Sequence, residues 1–473
     1  MRKAYFGYIV IANNEFMKIN LSKLPFTDFL FLFFLAVVVG RFIFPFFLNP
    51  FDMIENDPGR HWYNGKNFFS SFIHPESAHI LLATDPKMYQ LYMAILGLLS
   101  KIIGSEKIIF TLASCFLCAS LPWLWYKFMR EFLSRKLSLF AAIIIGITPS
   151  MLNIYGYFMT ETLLLNLMAL SAWMALRAYR KKTLSSFAVA ALCLLAASLT
   201  RVIALPISVI FITWLVLTLD EKLKRLSIVT AITALMIIPF GLQTYRIMHV
   251  FGPFGYPKMN AIYKISNNAT FGFVFTDKNI SPGDFGSPSF FNISPFAPFY
   301  NYKTERLYSP YLWYIDTRKG SEDWDAAYDY LREHFLTPEK VITELKENFI
   351  FFFFGHTWPD NDYAIMKAYE NEMLTNIQIH WRYVWLPMTL VIILLSPFVT
   401  SSNYHRSFVS LTMLFIFLML VQQTGVMEGR FRKPVEPFII ISFLIVISQA
   451  SLAIGNVFKK KRKKLAPSNA RRK

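Results

Sequence analysis

Two carboxylates stand two residues apart at Glu55 and Asp57, in the stretch FDMIENDPGRHWYNGK from Phe51 to Lys66, with Arg60, His61 and Trp62 close behind them. A carboxylate of suitable pKa within hydrogen-bond reach of an acceptor hydroxyl or amine is a general base. Guanidinium and ammonium groups beside it bind a phosphate and counter its charge as it departs. Further along the chain Lys87, Arg201, Arg430 and Arg432 supply cations of that kind, and Glu161 supplies a carboxylate that orients an acceptor or caps its helix. One base plus a cationic clamp suffices to transfer a group from a phosphate-linked donor. Taken alone, the stretch also reads as a solvated turn punctuated by Pro50 and Pro58. Its surroundings decide between the two.

Those surroundings are a bilayer. Of 473 residues 55% are hydrophobic and only 16% charged, and the mean hydropathy is +0.39, whereas soluble domains carry about 25% charge. The composition describes an all-α, polytopic membrane protein. Apolar segments long enough to span occur at Phe26–Leu48, Glu106–Phe128, Leu137–Phe158, Thr162–Tyr179, Leu184–Leu199, Val202–Leu219, Leu226–Val250, Tyr383–Val399, Phe408–Gly425 and Val435–Val457. That is about ten helices of bilayer length. Met88–Ile103 has Met88, Leu91, Tyr92, Ile95, Leu98, Leu99 and Ile102 at helical spacing, but is short and holds Gln90, Ser100 and Lys101, which suits a helix lying in the interface. If it does not cross, the clusters Lys127/Arg130/Arg135/Lys136, Arg177/Arg180/Lys181/Lys182 and Lys222/Lys224/Arg225, together with Arg406 and the tail KKKRKK, all fall on the cytoplasmic side. The positive-inside rule selects that arrangement, with both termini cytoplasmic. It accounts for much of the net charge of +18 without nucleic acid as a partner.

Four regions follow: a transmembrane catalytic module over 1–250, with a first extracytoplasmic loop at 50–88 and the interfacial helix at 88–103; an extracytoplasmic region over 251–382; C-terminal membrane helices over 383–457; and a basic tail over 458–473. The tail from Lys459 to Lys473 reads as a disordered end against anionic lipid. The 251–382 interval, rich in Tyr, Phe, Pro, Asn and Gly, reads as an ordered mixed loop partly on the membrane surface, with aromatics at headgroup level. Cys115, Cys118 and Cys193 lie inside apolar runs, and His61, His74 and His79 share the first outer loop without a ligand spacing. No metal site or cofactor is indicated, although a divalent metal is compatible with the chemistry.

This topology gathers Glu55, Asp57, Arg60, His61, Lys87, Glu161, Arg201, Arg430 and Arg432 on the outer face. Ionisable groups near membrane helices usually face protein or a water-filled cavity. A polyprenyl-phosphate sugar carries its phosphate at headgroup level and its chain in the bilayer, and would be recognised by such cations beside apolar grooves.

The motifs NDPGRHWYNGKNF after span one, DPKMYQLYMAILGLLSKIIG, YGYFMTETLLLNLMAL around Glu161, SLTRVIALP around Arg201 and EGRFRKPVEPFI before the last span together resemble the GT-C superfamily of membrane glycosyltransferases. The likeness is to the branch of the protein O-mannosyltransferases and the lipid A aminoarabinose transferase. It implies a GT-C-like fold with juxtamembrane helices, a catalytic acidic residue in the first outer loop, a polyprenyl-phosphate sugar donor, and a lysine at the position of Lys87 that contacts phosphate. In that family an adjacent Asp-Glu pair is common, whereas here Glu55 and Asp57 are separated by Asn56; Asp57 is preferred because Pro58, Gly59 and Arg60 follow it. The expectation is an enzyme of the bacterial inner membrane with Asp57 as base and Arg60, Lys87 and Arg201 around phosphate. Arg430 and Arg432 are second-rank phosphate candidates, and His61 and Glu161 stand beside the acceptor. The acceptor is a lipid, glycan or protein. A ligase or polymerase of O-antigen type using a diphosphate-linked glycan, and a secondary transporter, are the alternatives.

Overall fold

The computed structural model describes residues 28, 32, 57–70, 90–148, 151, 160–249, 271–276, 311–316, 338–354, 380–381, 383–398, 403–422 and 432–465. The helices in chain order are α1 (Asp57–Phe68), α2 (Gln90–Ile102), α3 (Glu106–Arg130), α4 (Arg135–Ile147), α5 (Thr160–Lys181), α6 (Leu184–Thr200), α7 (Leu205–Thr218), α8 (Lys222–His249), α9 (Pro338–Phe354), α10 (Trp385–Leu395), α11 (Asn403–Gln422) and α12 (Glu436–Leu465). Strands β1 (Phe271–Thr276) and β2 (Tyr311–Asp316) pair in parallel, Phe271 opposite Tyr311. Span one lies largely outside the described residues, as do Glu55, Lys87, Arg430 and most of the 251–382 interval.

Among the described residues three helices, Thr160–Lys181, Asn403–Val421 and Glu436–Gly455, are long and apolar enough to cross a membrane. At about 1.5 Å per residue the 22 residues of α5 reach about 33 Å, the thickness of a hydrocarbon core. Along α3, Ile108, Leu112 and Phe116 recur every fourth residue and are all exposed, an apolar stripe that water would penalise and lipid would not. Within a largely apolar and aromatic core, hydroxyl groups also bond from helix to helix. Ser208 donates to the Leu194 carbonyl at 2.9 Å, Ser442 to the Thr412 hydroxyl at 2.9 Å and Ser120 to the Asn166 carbonyl oxygen at 2.6 Å. Such bonds join helices where the hydrophobic effect offers little.

Helix ends are set by local sequence. Gly104 turns the chain between α2 and α3 at φ +76, a left-handed conformation that a side chain would strain. Ser105 then caps α3, accepting from the Ile108 N–H, and Ser134 caps α4 by accepting from Leu137 N–H. Pro206 opens α7, where its missing N–H costs nothing.

Contacts between helix ends define the two ends of the bundle. At one end, His405 and Tyr404 at the start of α11 pack on Phe132 just after α3 and on Tyr179 near the end of α5. Tyr404 also meets Trp214 near the end of α7. At the other end, Asn348 of α9 donates to the Leu420 carbonyl near the end of α11 at 3.0 Å. The ends of α3, α5 and α7 and the starts of α4, α6, α8 and α11 therefore share the first end. The starts of α3 and α5 and the ends of α6 and α11 lie at the second, whereas α12 begins deeper in the bundle, with Phe438 packed on Trp125 near the end of α3 and on Phe408 near the start of α11.

The first end holds polar links absent from the sequence motifs. Asp28 accepts from Tyr126 Oη at 2.5 Å and from Arg135 Nε at 2.9 Å, tying the first apolar segment to α3 and α4. An acid inside an apolar run is the signal that could have marked it. Lys182 donates to Asp220 at 2.5 Å and holds that carboxyl below the usual carboxylate range. The tail differs from expectation: α12 stays helical to Leu465, so Lys459–Lys464 belongs to a continuous helix rather than a disordered end. The α12 pattern simply runs on, because Lys and Arg are good helix formers and no Gly or Pro intervenes between Gly455 and Pro467.

The stretch that follows span one is itself helical and is locked to α2. Pro58 sits in the first turn of α1, where proline is tolerated. Gly65 of α1 and Gly97 of α2 form the crossing point. A Cβ at position 97 would lie 2.6 Å from the Gly65 carbonyl oxygen and 3.1 Å from the Phe69 ring, and one at position 65 would lie 2.6 Å from the Leu96 Cβ. Alanine favours a helix over glycine by about 1 kcal/mol, so Gly97→Ala tests the contact by its sign. We expect Gly97→Ala to lower the thermal midpoint of the detergent-solubilised protein. Gly455→Ala, at a helical position with nothing within 4 Å, should leave it unchanged or raise it. Equal shifts for the two variants would refute a tight crossing at Gly97.

Candidate functional site

Of the residues singled out from the sequence, Asp57, Arg60, His61, Glu161 and Arg201 lie toward the second end of the bundle. α1 carries Asp57 and Arg60 in its first turn and His61 next to them. It packs on α2 through a small core of Trp62, Phe68, Tyr92, Met93, Leu96, Ile109, Phe110 and Leu163. Ile109 and Phe110 belong to the first turns of α3, and Leu163 is two residues from Glu161 in α5. Trp62 meets Phe110 edge to face at 6.1 Å, and the buried His61 ring stands edge-on to Tyr92 at 5.5 Å. The helix bearing the acidic stretch is thereby fixed over the starts of α3 and α5 rather than left as a turn in water. Its interfacial partner differs in detail from the periodic reading: Tyr92, Met93 and Leu96 are the buried positions, while Leu98 and Ile102 are 53% and 70% exposed. These two are free to face lipid because α1 occupies the other side.

Glu161 and Arg201 form a buried ion pair between the start of α5 and the end of α6. Thr160 Oγ1 donates to Glu161 Oε2 at 2.7 Å, and the Arg201 backbone N–H closes α6 on the Ala197 carbonyl at 2.9 Å. The motifs assign the two residues separate roles, acceptor side and phosphate side; the fold makes them direct partners. α2 also packs on α6, so the helix that precedes Arg201 and the helix carrying Asp57 meet around α2.

Arg432 is also buried, with a partner in the same motif to which the sequence reading gave no role. Its Nε donates to Glu436 Oε1 at 2.8 Å, its Nη1 donates to the Phe352 carbonyl at the end of α9, and its guanidinium lies 5.4 Å from the Trp385 ring centre. The spacing of Arg432 and Glu436, four residues apart, is the signal that could have revealed the pair. Lys433 beside them is fully buried. These contacts join α9, α10 and α12.

The fold thus forms two separate groups: the α1 helix with Asp57, Arg60 and His61 packed near the Glu161–Arg201 pair, and Arg432 with Glu436, Phe352 and Trp385 between α9, α10 and α12. Among the described residues no group of three or more His, Cys, Asp or Glu could hold a metal ion. Comparison with protein-family models, with curated proteins and with solved structures finds no match to this chain.

Proposed function

We propose that this chain is an integral membrane glycosyltransferase that moves one sugar from a polyprenyl monophosphate carrier to an extracytoplasmic acceptor, in a multi-pass GT-C-like fold with both termini in the cytoplasm. The observation that carries the reading is the shared apolar cluster of Trp62 and Leu163. It brings the helix whose first turn holds Asp57 and Arg60 up to the buried Glu161–Arg201 pair at one end of a bundle of apolar helices.

In this reading the Asp57 carboxylate takes the proton from the acceptor hydroxyl as its oxygen attacks the sugar's anomeric carbon. The bond from that carbon to the phosphate oxygen breaks with inversion, and the polyprenyl phosphate leaves with its charge countered by cations. Arg60 and Lys87 lead the clamp, with Arg430 behind them, because Arg201 and Arg432 already face Glu161 and Glu436. Those two contribute donors and fixed geometry more than net charge. Glu55 is the alternative base. The acceptor is a lipid, glycan or protein presented at the same face, and the exposed apolar side of α2 offers the carrier chain a lipid-facing path.

The test is transfer of labelled sugar by the purified full-length protein in lipid, from a panel of polyprenyl monophosphate and diphosphate donors, with native membrane extract as acceptor source. Label moving from a monophosphate donor to an extract component is the expected result. Transfer from diphosphate-linked glycans alone would replace this reading with a ligase or polymerase. No transfer from any donor, with flux of a solute in reconstituted vesicles, would replace it with a transporter.

A further inference from the structure

The other end of the bundle carries a second cationic arrangement that the transferase chemistry does not use. Near the end of α3, Lys127 Nζ lies 5.2 Å from the Trp123 ring centre and 5.8 Å from that of Trp173 on α5. Arg177, one turn further along α5, lies 5.5 Å from the same Trp173 ring. The two indoles meet edge to face at 6.0 Å, and all four side chains are half-buried. A Lys and an Arg are thus held on opposite helices against one pair of aromatic faces, an arrangement that desolvates both charges in part.

The nearby carboxylate is committed elsewhere. Glu131 pairs with Arg180 at 3.5 Å, and its Oε1 accepts from the Trp173 indole N–H at 3.5 Å. Among the described residues neither Lys127 nor Arg177 forms an ion pair with a carboxylate. The Nε atoms of Arg177 and of Arg130 are buried without a hydrogen-bond partner, and Arg130 spends its Nη1 on the Leu133 carbonyl at 2.9 Å. Buried guanidinium donors without partners are costly unless a ligand supplies the acceptor. Tryptophans at the end of apolar helices sit at headgroup depth, so the missing acceptor is one that a bilayer presents at that depth.

We propose that Lys127 and Arg177, framed by Trp123 and Trp173, form the headgroup site of an anionic phospholipid bound where α3 and α5 end. The phosphate accepts from the Lys127 ammonium and the Arg177 guanidinium, the indoles line the glycerol level, and the acyl chains lie along the apolar surface of the two helices. The site lies near the ends of α3 and α5, whereas α1 with Asp57 packs on the starts of those helices and Arg201 pairs with Glu161 at the start of α5. Its two cations are held against two indoles on facing helices, unlike the basic run at the end of α12, which attracts anionic surfaces without geometry.

The experiment is native mass spectrometry and thermal melting of the full-length protein with phosphatidylglycerol, with phosphatidylcholine, and with inorganic phosphate. It compares wild type, Lys127→Gln/Arg177→Gln, the charge-keeping Arg177→Lys, and the surface control Lys136→Gln/Lys181→Gln. Each cation facing an anionic headgroup contributes about a fivefold factor in affinity, so the first double variant should lose on the order of thirty-fold in phosphatidylglycerol retention. It should also lose the lipid-induced rise in melting midpoint. Arg177→Lys should retain most of both, and the surface control should change little. Equal loss in the surface control would overturn the proposal in favour of diffuse attraction, as would undiminished retention in the Gln variant. Displacement of the lipid by millimolar inorganic phosphate would overturn it in favour of a free-phosphate site. A Gln variant that melts like wild type without lipid keeps the comparison independent of folding.

Discussion

Replacing Asp57 with asparagine is expected to lower sugar transfer by about 10²- to 10⁴-fold, the usual contribution of a positioned general base, while leaving donor binding nearly unchanged. An asparagine there would keep the size of the side chain and its place in the first turn of α1, and that helix is held to its neighbours by Trp62, Phe68 and Gly65. The structural cost should therefore be small and the chemical cost large. Measured as kcat and as donor Kd on the same preparation, the two separate cleanly. The complementary variant Arg60→Gln should do the reverse in part, weakening the donor more than the chemical step. If Asp57→Asn transfers at the wild-type rate, the base lies elsewhere and Glu55 is the next residue to change. If kcat holds while donor Kd rises, Asp57 belongs to binding rather than to proton transfer.

Glu161→Ala should be the most destabilising single change at this end of the bundle. Arg201 is buried against the Glu161 carboxylate, and removing the acid takes the charge of that carboxylate away from a guanidinium that water cannot reach freely. Breaking a buried pair from one side costs about 3–5 kcal/mol, whereas replacing both partners with apolar residues of similar volume is often close to neutral. Glu161→Leu combined with Arg201→Met should accordingly recover most of the thermal stability lost in the single variant. Transfer activity should stay low in that double variant if Arg201 also donates to the phosphate. A double variant as unstable as Glu161→Ala would mean that the pair has further partners whose loss is not repaired by apolar packing. A fully active double variant would remove Arg201 from the clamp and leave the pair as a pin between α5 and α6.

The same logic applies more weakly to Arg432. Its guanidinium touches α9 through the Phe352 carbonyl, α10 through the Trp385 ring and α12 through Glu436. Three elements distant in sequence depend on one side chain there, and Lys cannot reproduce the planar, multi-donor contact.

The sequence by itself determined the solvent in which this chain works and the elements that can exist in it. Apolar runs with few charges are an additive, local property, so the helices beginning at Glu106, Thr160 and Glu436 were legible to within two residues as spans starting at Glu106, Thr162 and Val435. That Asp57 and Arg60 share one segment was legible too, because they lie three residues apart. The partners of the other charges were not. Glu161 and Arg201 are forty residues apart, Arg432 and the Phe352 carbonyl eighty, and Asp28 and Arg135 more than a hundred. Each pairing exists only because antiparallel helices return to the same end of the bundle. Periodicity marked α2 as a helix but not its buried side, which is chosen by the glycine crossing at Gly65 and Gly97. In a membrane both faces of a helix can be apolar, so hydrophobicity no longer says which one meets protein; close backbone approach and charge pairing do, and both are decided by the tertiary fold.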